Sequence, residues 1–163
     1  MNKGWSFLLM MAAVPALAHA APASDAQADA VRAKNRATVE RFFQLPIGPE
    51  RGALYTDDGI KELVAVDWKW EGKAALDANT NGNMGMFPEW KWFDVRIDGT
   101  TNPNKFWVEA DGSGKHAIAP GSTPVPFGAH YVMSFEMRDG KIYRMREFRV
   151  PVERECKTLS ITC

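Results

Sequence analysis

The chain carries no excess of either charge and is poor in histidine and cysteine: 20 Lys and Arg stand against 20 Asp and Glu, with three His and two Cys. Balanced charge leaves no basic stripe to bind nucleic acid or an anionic membrane surface. Beyond residue 20 the only histidines are His116 and His130, too far apart in sequence to form a short-spaced zinc pair. There is no G-x-S-x-G elbow and no reactive-cysteine box, so no covalent nucleophile announces itself. Gly112-Ser-Gly-Lys115 lacks the Walker spacing and reads as a plain turn. Asp57-Asp58-Gly59 also reads as a turn, with no further ligands at calcium-loop spacing. Both cysteines, Cys156 and Cys163, lie in the tail. A disulfide between them would close an eight-residue loop and contribute about 2.5 kcal/mol in the chain-entropy model, only by tethering that tail. Free thiols and an intermolecular bridge fit the same placement.

Long apolar runs are missing too, save one. Lys3 leads into an apolar stretch from Ser6 to Ala18, followed by the small-x-small pattern Ala18-His19-Ala20. This is the pattern of a cleavable signal peptide over residues 1–20, and it predicts a periplasmic or secreted protein. The run is too short to cross about 30 Å of hydrocarbon, and no cysteine at the cut offers a lipid anchor, so no membrane attachment is expected after cleavage. The 19 basic and 20 acidic side chains that follow sit in about 143 residues, enough for one domain with a sizeable core.

Residues 21–29 form a small-residue leader in which Ser24 is a suitable N-cap for a helix running to about Gln44. Val31, Val39, Phe42 and Phe43 share one side of it, and charged residues fill the rest. Pro46, Gly48, Pro49 and Gly52 end the helix. Lys61 to Trp70 alternates as one strand, with Val64, Val66, Trp68 and Trp70 on one face and Leu63, Ala65, Asp67 and Lys69 on the other. A short helix over Lys73 to Asn79 is expected next, dissolving into a Gly- and Asn-rich stretch. Strands follow over Trp90 to Asp98 and Asn104 to Ile118, and residues 30–163 make one α+β domain. Its antiparallel sheet curls around the N-terminal helix, and the inside of the curl is a pocket. Five tryptophans on these strands serve either as core or as the lining of that pocket.

Ala129 to Arg149 carries the strongest local signal. Two β-favouring segments flank Asp139-Gly140, which tolerates the positive φ angles of a two-residue type I′ turn. Pairing Arg138 with Lys141 then sets Ser134 opposite Met145, Val132 opposite Glu147 and His130 opposite Arg149. On that register Glu147 and His130 share a face as diagonal neighbours. Glu147 is either a carboxylate paired within Arg144, Arg146 and Arg149, or a proton donor. The second role requires a closed apolar pocket that penalises the anion by about 3 to 4 kcal/mol, with Arg149 turned out or otherwise paired.

Five stretches together resemble the phenazine biosynthesis PhzA/PhzB family: Arg32-Ala-Lys-Asn-Arg-Ala-Thr-Val39; Tyr55-Thr-Asp-Asp-Gly59; Met86-Phe-Pro-Glu-Trp90; Phe106-Trp-Val-Glu-Ala-Asp-Gly112 with Gly114-Lys115; and Ser134-Phe-Glu-Met-Arg-Asp-Gly-Lys-Ile142 with Arg146-Glu-Phe148. The resemblance runs from about Ala30 to Ile161. It implies the cone-shaped, cystatin-like α+β barrel shared with ketosteroid isomerase, scytalone dehydratase and SnoaL-like cyclases, usually as a homodimer. It also implies condensation of two aminocyclohexenone carboxylates by acid/base assistance to imine formation, with no metal and no organic cofactor. Carried onto this chain, the family pattern makes Glu147 and His130 the catalytic pair, with Arg51, Asn79, Asn83, Lys115 and Ser134 as substrate contacts. Asn79 and Asn83 stand where the family has a histidine and a serine, and an amide hydrogen-bonds without shuttling protons. Isomerisation or dehydration of another cyclic ketone, and ligand binding without catalysis, are the alternatives.

Overall fold

The computed structural model describes residues 25–117, 119 and 121–151; the expected signal peptide, Cys156 and Cys163 lie outside them. Helix α1 (Asp25–Gln44) buries a stripe of Asn35, Val39 and Phe42 against the inner face of a curved, unclosed six-stranded sheet. Asn35 pins the helix: its Nδ2 donates to Asn104 Oδ1 at 2.8 Å and to the Pro103 carbonyl at 3.1 Å. After the short helix α2 (Pro49–Gly52) come β1 (Tyr55–Leu63), a 3-10 turn (Val64–Val66), β2 (Trp68–Glu71) and α3 (Lys73–Met86). The remaining strands are β3 (Lys91–Gly99), β4 (Lys105–His116), β5 (Val125–Arg138) and β6 (Lys141–Pro151). They lie in the order β2-β1-β6-β5-β4-β3. The α+β arrangement is the expected one, and the β1–β6 pair is parallel while all others are antiparallel.

The core forms where α1 and α3 meet the sheet. Phe42 and Leu76 from the helices pack with Phe106, Met133, Phe135, Ile142 and Met145 from the strands. Each such buried side chain contributes about 1.5 to 3 kcal/mol of transfer free energy. Among the described residues no helix is long and apolar enough to cross a membrane.

Several sequence expectations need correction. The stretch from Lys61 to Trp70 is not one strand. Asp67 sits in the left-handed region (φ 50°) after the 3-10 turn, and the chain folds back so that Leu63 pairs with Trp68 and Lys61 with Trp70. Thr56 to Gly59 lies inside β1, and Gly112 to Lys115 lies inside β4. Helix α3 persists to Met86 through residues that read as breakers. Leu76 anchors it in the core, and the Thr80 hydroxyl donates to its own helix at the Leu76 carbonyl (2.8 Å).

The hairpin correction matters most for the site. Asp139 (φ 55°) and Gly140 (φ 83°) form the expected turn, and Arg138–Lys141 and Met137–Ile142 pair as read. The register then slips by one residue, so that Glu136 pairs with Arg144, Met133 with Glu147 and Tyr131 with Arg149. A bulge of this kind inverts every later side chain. Its cause is burial: Ile142 and Met145, three residues apart, both face the core, which strict alternation forbids.

Candidate functional site

The slip leaves Met145, Glu147 and Arg149 of β6 pointing inward beside Tyr131, Met133 and Phe135 of β5. Of these, Tyr131, Met145, Glu147 and Arg149 line a partly open cavity of about 510 Å³, walled by α2, α3 and the inner faces of β1, β2, β5 and β6. Its walls are largely aromatic, with Phe42, Trp70, Trp90, Trp92 and Tyr131 prominent. Trp92 sits edge-on to Tyr131 (4.8 Å) and to Trp90 (5.4 Å).

Four of the residues expected to form the site line this cavity: Glu147, Arg51, Asn79 and Asn83. Three do not. His130 is on the outer face, its Nδ1 2.8 Å from Asp111 Oδ1 and its side chain 44% exposed, so it is no neighbour of Glu147. Ser134 is on the same outer face, between Trp107 and Arg146 in the ladder. Lys115 donates to Glu89 Oε1 at 2.7 Å, away from the cavity lining.

Arg51 is buried (7% exposed), donates through Nη2 to the Leu45 carbonyl and lies 4.9 Å from the Phe42 ring centre. Its Nε is buried with no hydrogen-bond partner among the described residues, and the same holds for Trp92 Nε1. Burial brings the Arg51 guanidinium down to about 10, so it stays charged at neutral pH. Glu147, 13% exposed, has its Oε2 4.0 Å from Lys61 Nζ, beyond hydrogen-bond reach. Its negative charge adds to the burial that pushes the Tyr55 phenol up.

Lys61, Arg149 and His116 also line the cavity and were not picked out as site residues. Lys61 donates to Asn79 Oδ1 at 3.1 Å and lies 5.4 Å from the Trp70 ring centre. Burial pulls its pKa down; the Glu147 charge opposes this, while Arg51 and Arg149 reinforce it. Arg149 is not turned out: it lines the cavity, 5.3 Å from the Phe127 ring centre. His116 stacks on Phe87 at 4.5 Å, and burial, then Arg149, favour its neutral form. His116 was recoverable from strand parity, since Phe106, Val108, Ala110 and Gly112 of β4 all face inward at even positions. Lys61 was hidden by the single-strand reading, which put it on the face opposite the tryptophans. Among the described residues no group of three or more His, Cys, Asp or Glu gathers as a metal site.

A curved, unclosed sheet folded over a helix, with an aromatic-lined cavity and a few convergent polar groups, makes this a cone-type α+β domain. The chain belongs to the phenazine biosynthesis protein A/B family, whose model matches residues 18–163. It is 37% identical to phenazine biosynthesis protein PhzB1 of Pseudomonas aeruginosa over 147 residues, 86% of this chain and 89% of that relative. The crystal structure of the phenazine biosynthesis-related protein PhzB2 from the same organism matches with a TM-score of 0.76 at 34% identity, covering 86% of this chain and 94% of that one. A protein of ketosteroid isomerase-like fold from Catenulispora acidiphila matches with a TM-score of 0.61 at 14% identity, over 77% of this chain and 93% of the other, a likeness of fold alone.

Proposed function

We propose that the cavity binds a cyclic, carboxylated small molecule and promotes a cofactor-free acid/base condensation of the phenazine-precursor type. Glu147 is the proton donor or shuttle. The observation that supports this reading is an aromatic-lined cavity in which the cations of Arg51, Lys61 and Arg149 converge with one carboxylate, Glu147. Desolvated cations are costly in a folded chain, and an anionic ligand offsets part of that cost. A planar ring suits the aromatic walls, and a carboxylate suits Arg51. Asn79 and Asn83 supply hydrogen bonds from α3, leaving proton transfer to Glu147. Export by the N-terminal segment and assembly as a homodimer belong to the same proposal.

The test pairs binding with turnover. Binding of phenazine-1-carboxylate is followed by tryptophan fluorescence, and condensation of an aminocyclohexenone carboxylate by absorbance. Glu147→Gln keeps the size of the side chain and removes its proton chemistry, so turnover should be lost while affinity holds within a few-fold. Equal turnover in the variant refutes the role of Glu147. Binding without turnover in the parent protein favours a non-catalytic binding module.

A further inference from the structure

We propose that Lys61 is an amine nucleophile that captures a ligand ketone as a Schiff base. This step rests on the small-molecule reading above and narrows the substrate class to carboxylated cyclic ketones. The side chain is 16% exposed, lines the cavity, and makes a single hydrogen bond among the described residues, to Asn79 Oδ1 at 3.1 Å. An ammonium has three donors, so one hydrogen bond and a carboxylate 4.0 Å away leave it poorly solvated. Trp70 covers it on one side, at 5.4 Å. Burial favours the neutral amine; Glu147 opposes this, and the charges of Arg51 and Arg149, which line the same cavity, add to it. Desolvation beside other cations is one of the ways a lysine is activated as a nucleophile.

Glu147 completes the arrangement. A proton that Lys61 gives up passes to Glu147 once the 4.0 Å gap closes, a tightening ordinary on ligand binding. The Nζ lone pair then forms a C–N bond to the carbonyl carbon as the C–O π bond breaks, and the oxygen takes the proton from Glu147. Nitrogen returns a proton to Glu147, which protonates the carbinolamine hydroxyl. Water leaves, and the products are a protonated imine on Lys61 and the Glu147 carboxylate. Atoms and charge balance, and no oxidant or reductant is needed. The Arg51 guanidinium lines the same cavity as a counter-charge for the ligand's carboxylate while the ring lies against the tryptophans.

The test uses the full-length protein, 3-oxocyclohexane-1-carboxylate as probe and sodium cyanoborohydride as trap. Binding is read by tryptophan fluorescence, and the product by intact mass and peptide mapping. The expected adduct equals the probe less one oxygen, sits on Lys61, and forms there in preference to the exposed Lys69 and Lys73. Phenazine-1-carboxylate, which has no ketone, should block it, and Lys61→Arg, which keeps the positive charge, should abolish it. Probe binding with no adduct, or with label spread over exposed lysines, overturns the Schiff base and leaves the pocket reading standing. Neither binding nor adduct overturns both for this substrate class.

Discussion

Gly112→Ala should lower stability by about 2 to 3 kcal/mol and remove one wall of the cavity. Gly112 lies in β4, opposite Trp92 on β3 and Ala129 on β5. A Cβ there would lie 2.1 Å from Trp90 Cζ2 and 2.9 Å from two further atoms of the ring. Carbon atoms settle at about 3.5 to 4.0 Å, so the indole must move by more than about 1 Å. Phe87, Trp92, Phe127 and Tyr131 crowd it at centroid distances of 5.6, 5.4, 5.6 and 5.9 Å, so the space left to it is the cavity it lines. Overpacking of this kind costs about 1 to 3 kcal/mol, and each disturbed edge-to-face pair adds about 0.5 to 1.5 kcal/mol, partly within the same sum. In a domain of this size that lowers the Tm by roughly 5 to 10 °C. The control is Gly85→Ala in α3, where an added Cβ meets nothing within 4 Å. It should raise stability by up to about 0.5 to 1 kcal/mol, the helix penalty of glycine. Thermal unfolding of both variants by circular dichroism checks the pair, with near-ultraviolet ellipticity reporting the tryptophan cluster. A Gly112→Ala protein that melts with its parent and keeps its aromatic signal would refute the packing argument.

Arg51→Met should separate stability from binding. A desolvated guanidinium is replaced by a shorter apolar chain, and its burial cost and its bond to the Leu45 carbonyl are lost together, so stability should hold within about 1 kcal/mol, while affinity for phenazine-1-carboxylate falls about 10- to 100-fold, the value of a charged hydrogen bond. Urea unfolding and fluorescence titration measure the two, and an unchanged affinity would remove Arg51 from the site. His116 sets the pH response. Burial lowers its pKa, so below about 6.5 the unfolded chain binds a proton that the folded one resists, and stability falls as pH drops through that window. Asp58 and Glu62, held below the usual carboxylate range chiefly by Arg138 and Arg144, extend the loss to lower pH as they too are protonated. Melting temperatures taken between about pH 7.5 and 5.5 should fall less steeply in His116→Gln, and an unchanged slope would show that His116 is not the group responsible.

The parts of the fold legible in the sequence are those set by local chemistry. Helix α1 follows from the 3.6-residue spacing that places Val39 and Phe42 on one side, while the Ser24 cap lies outside the described residues. The hairpin follows from Asp139-Gly140, whose positive φ angles the structure shows. What stayed hidden depends on long-range burial. The bulge after Ile142 exists because Ile142 and Met145 both find core, against Leu54 and Phe135 among others, and no turn rule encodes that. A one-residue slip was enough to send His130 and Ser134 outside while Glu147 stayed in. Lys61 was lost for a related reason: Val64, Val66, Trp68 and Trp70 alternate so well that the reversal at Asp67 leaves no mark on the pattern. Arg51, Asn79 and Asn83 came from motif resemblance rather than pattern, because a charged or amide side chain facing inward breaks the alternation on which pattern reading depends.

The balance of charge inside the cavity constrains its ligand more tightly than the shape does. Arg51, Lys61 and Arg149 line it against one acidic residue, Glu147, although the whole chain is neutral. Like charges brought together among tryptophans repel under weak screening, and each also loses hydration. Packing alone gives no reason for the excess, since an apolar residue at any of the three positions would serve the core at least as well. On the proposed reading a bound carboxylate adds negative charge beside Arg51 and leaves the Lys61–Glu147 pair to exchange a proton. That division also accounts for amides on α3. With Lys61 held by Asn79 and facing Glu147, donor and acceptor of the proton both lie on the sheet, and α3 has only to orient them.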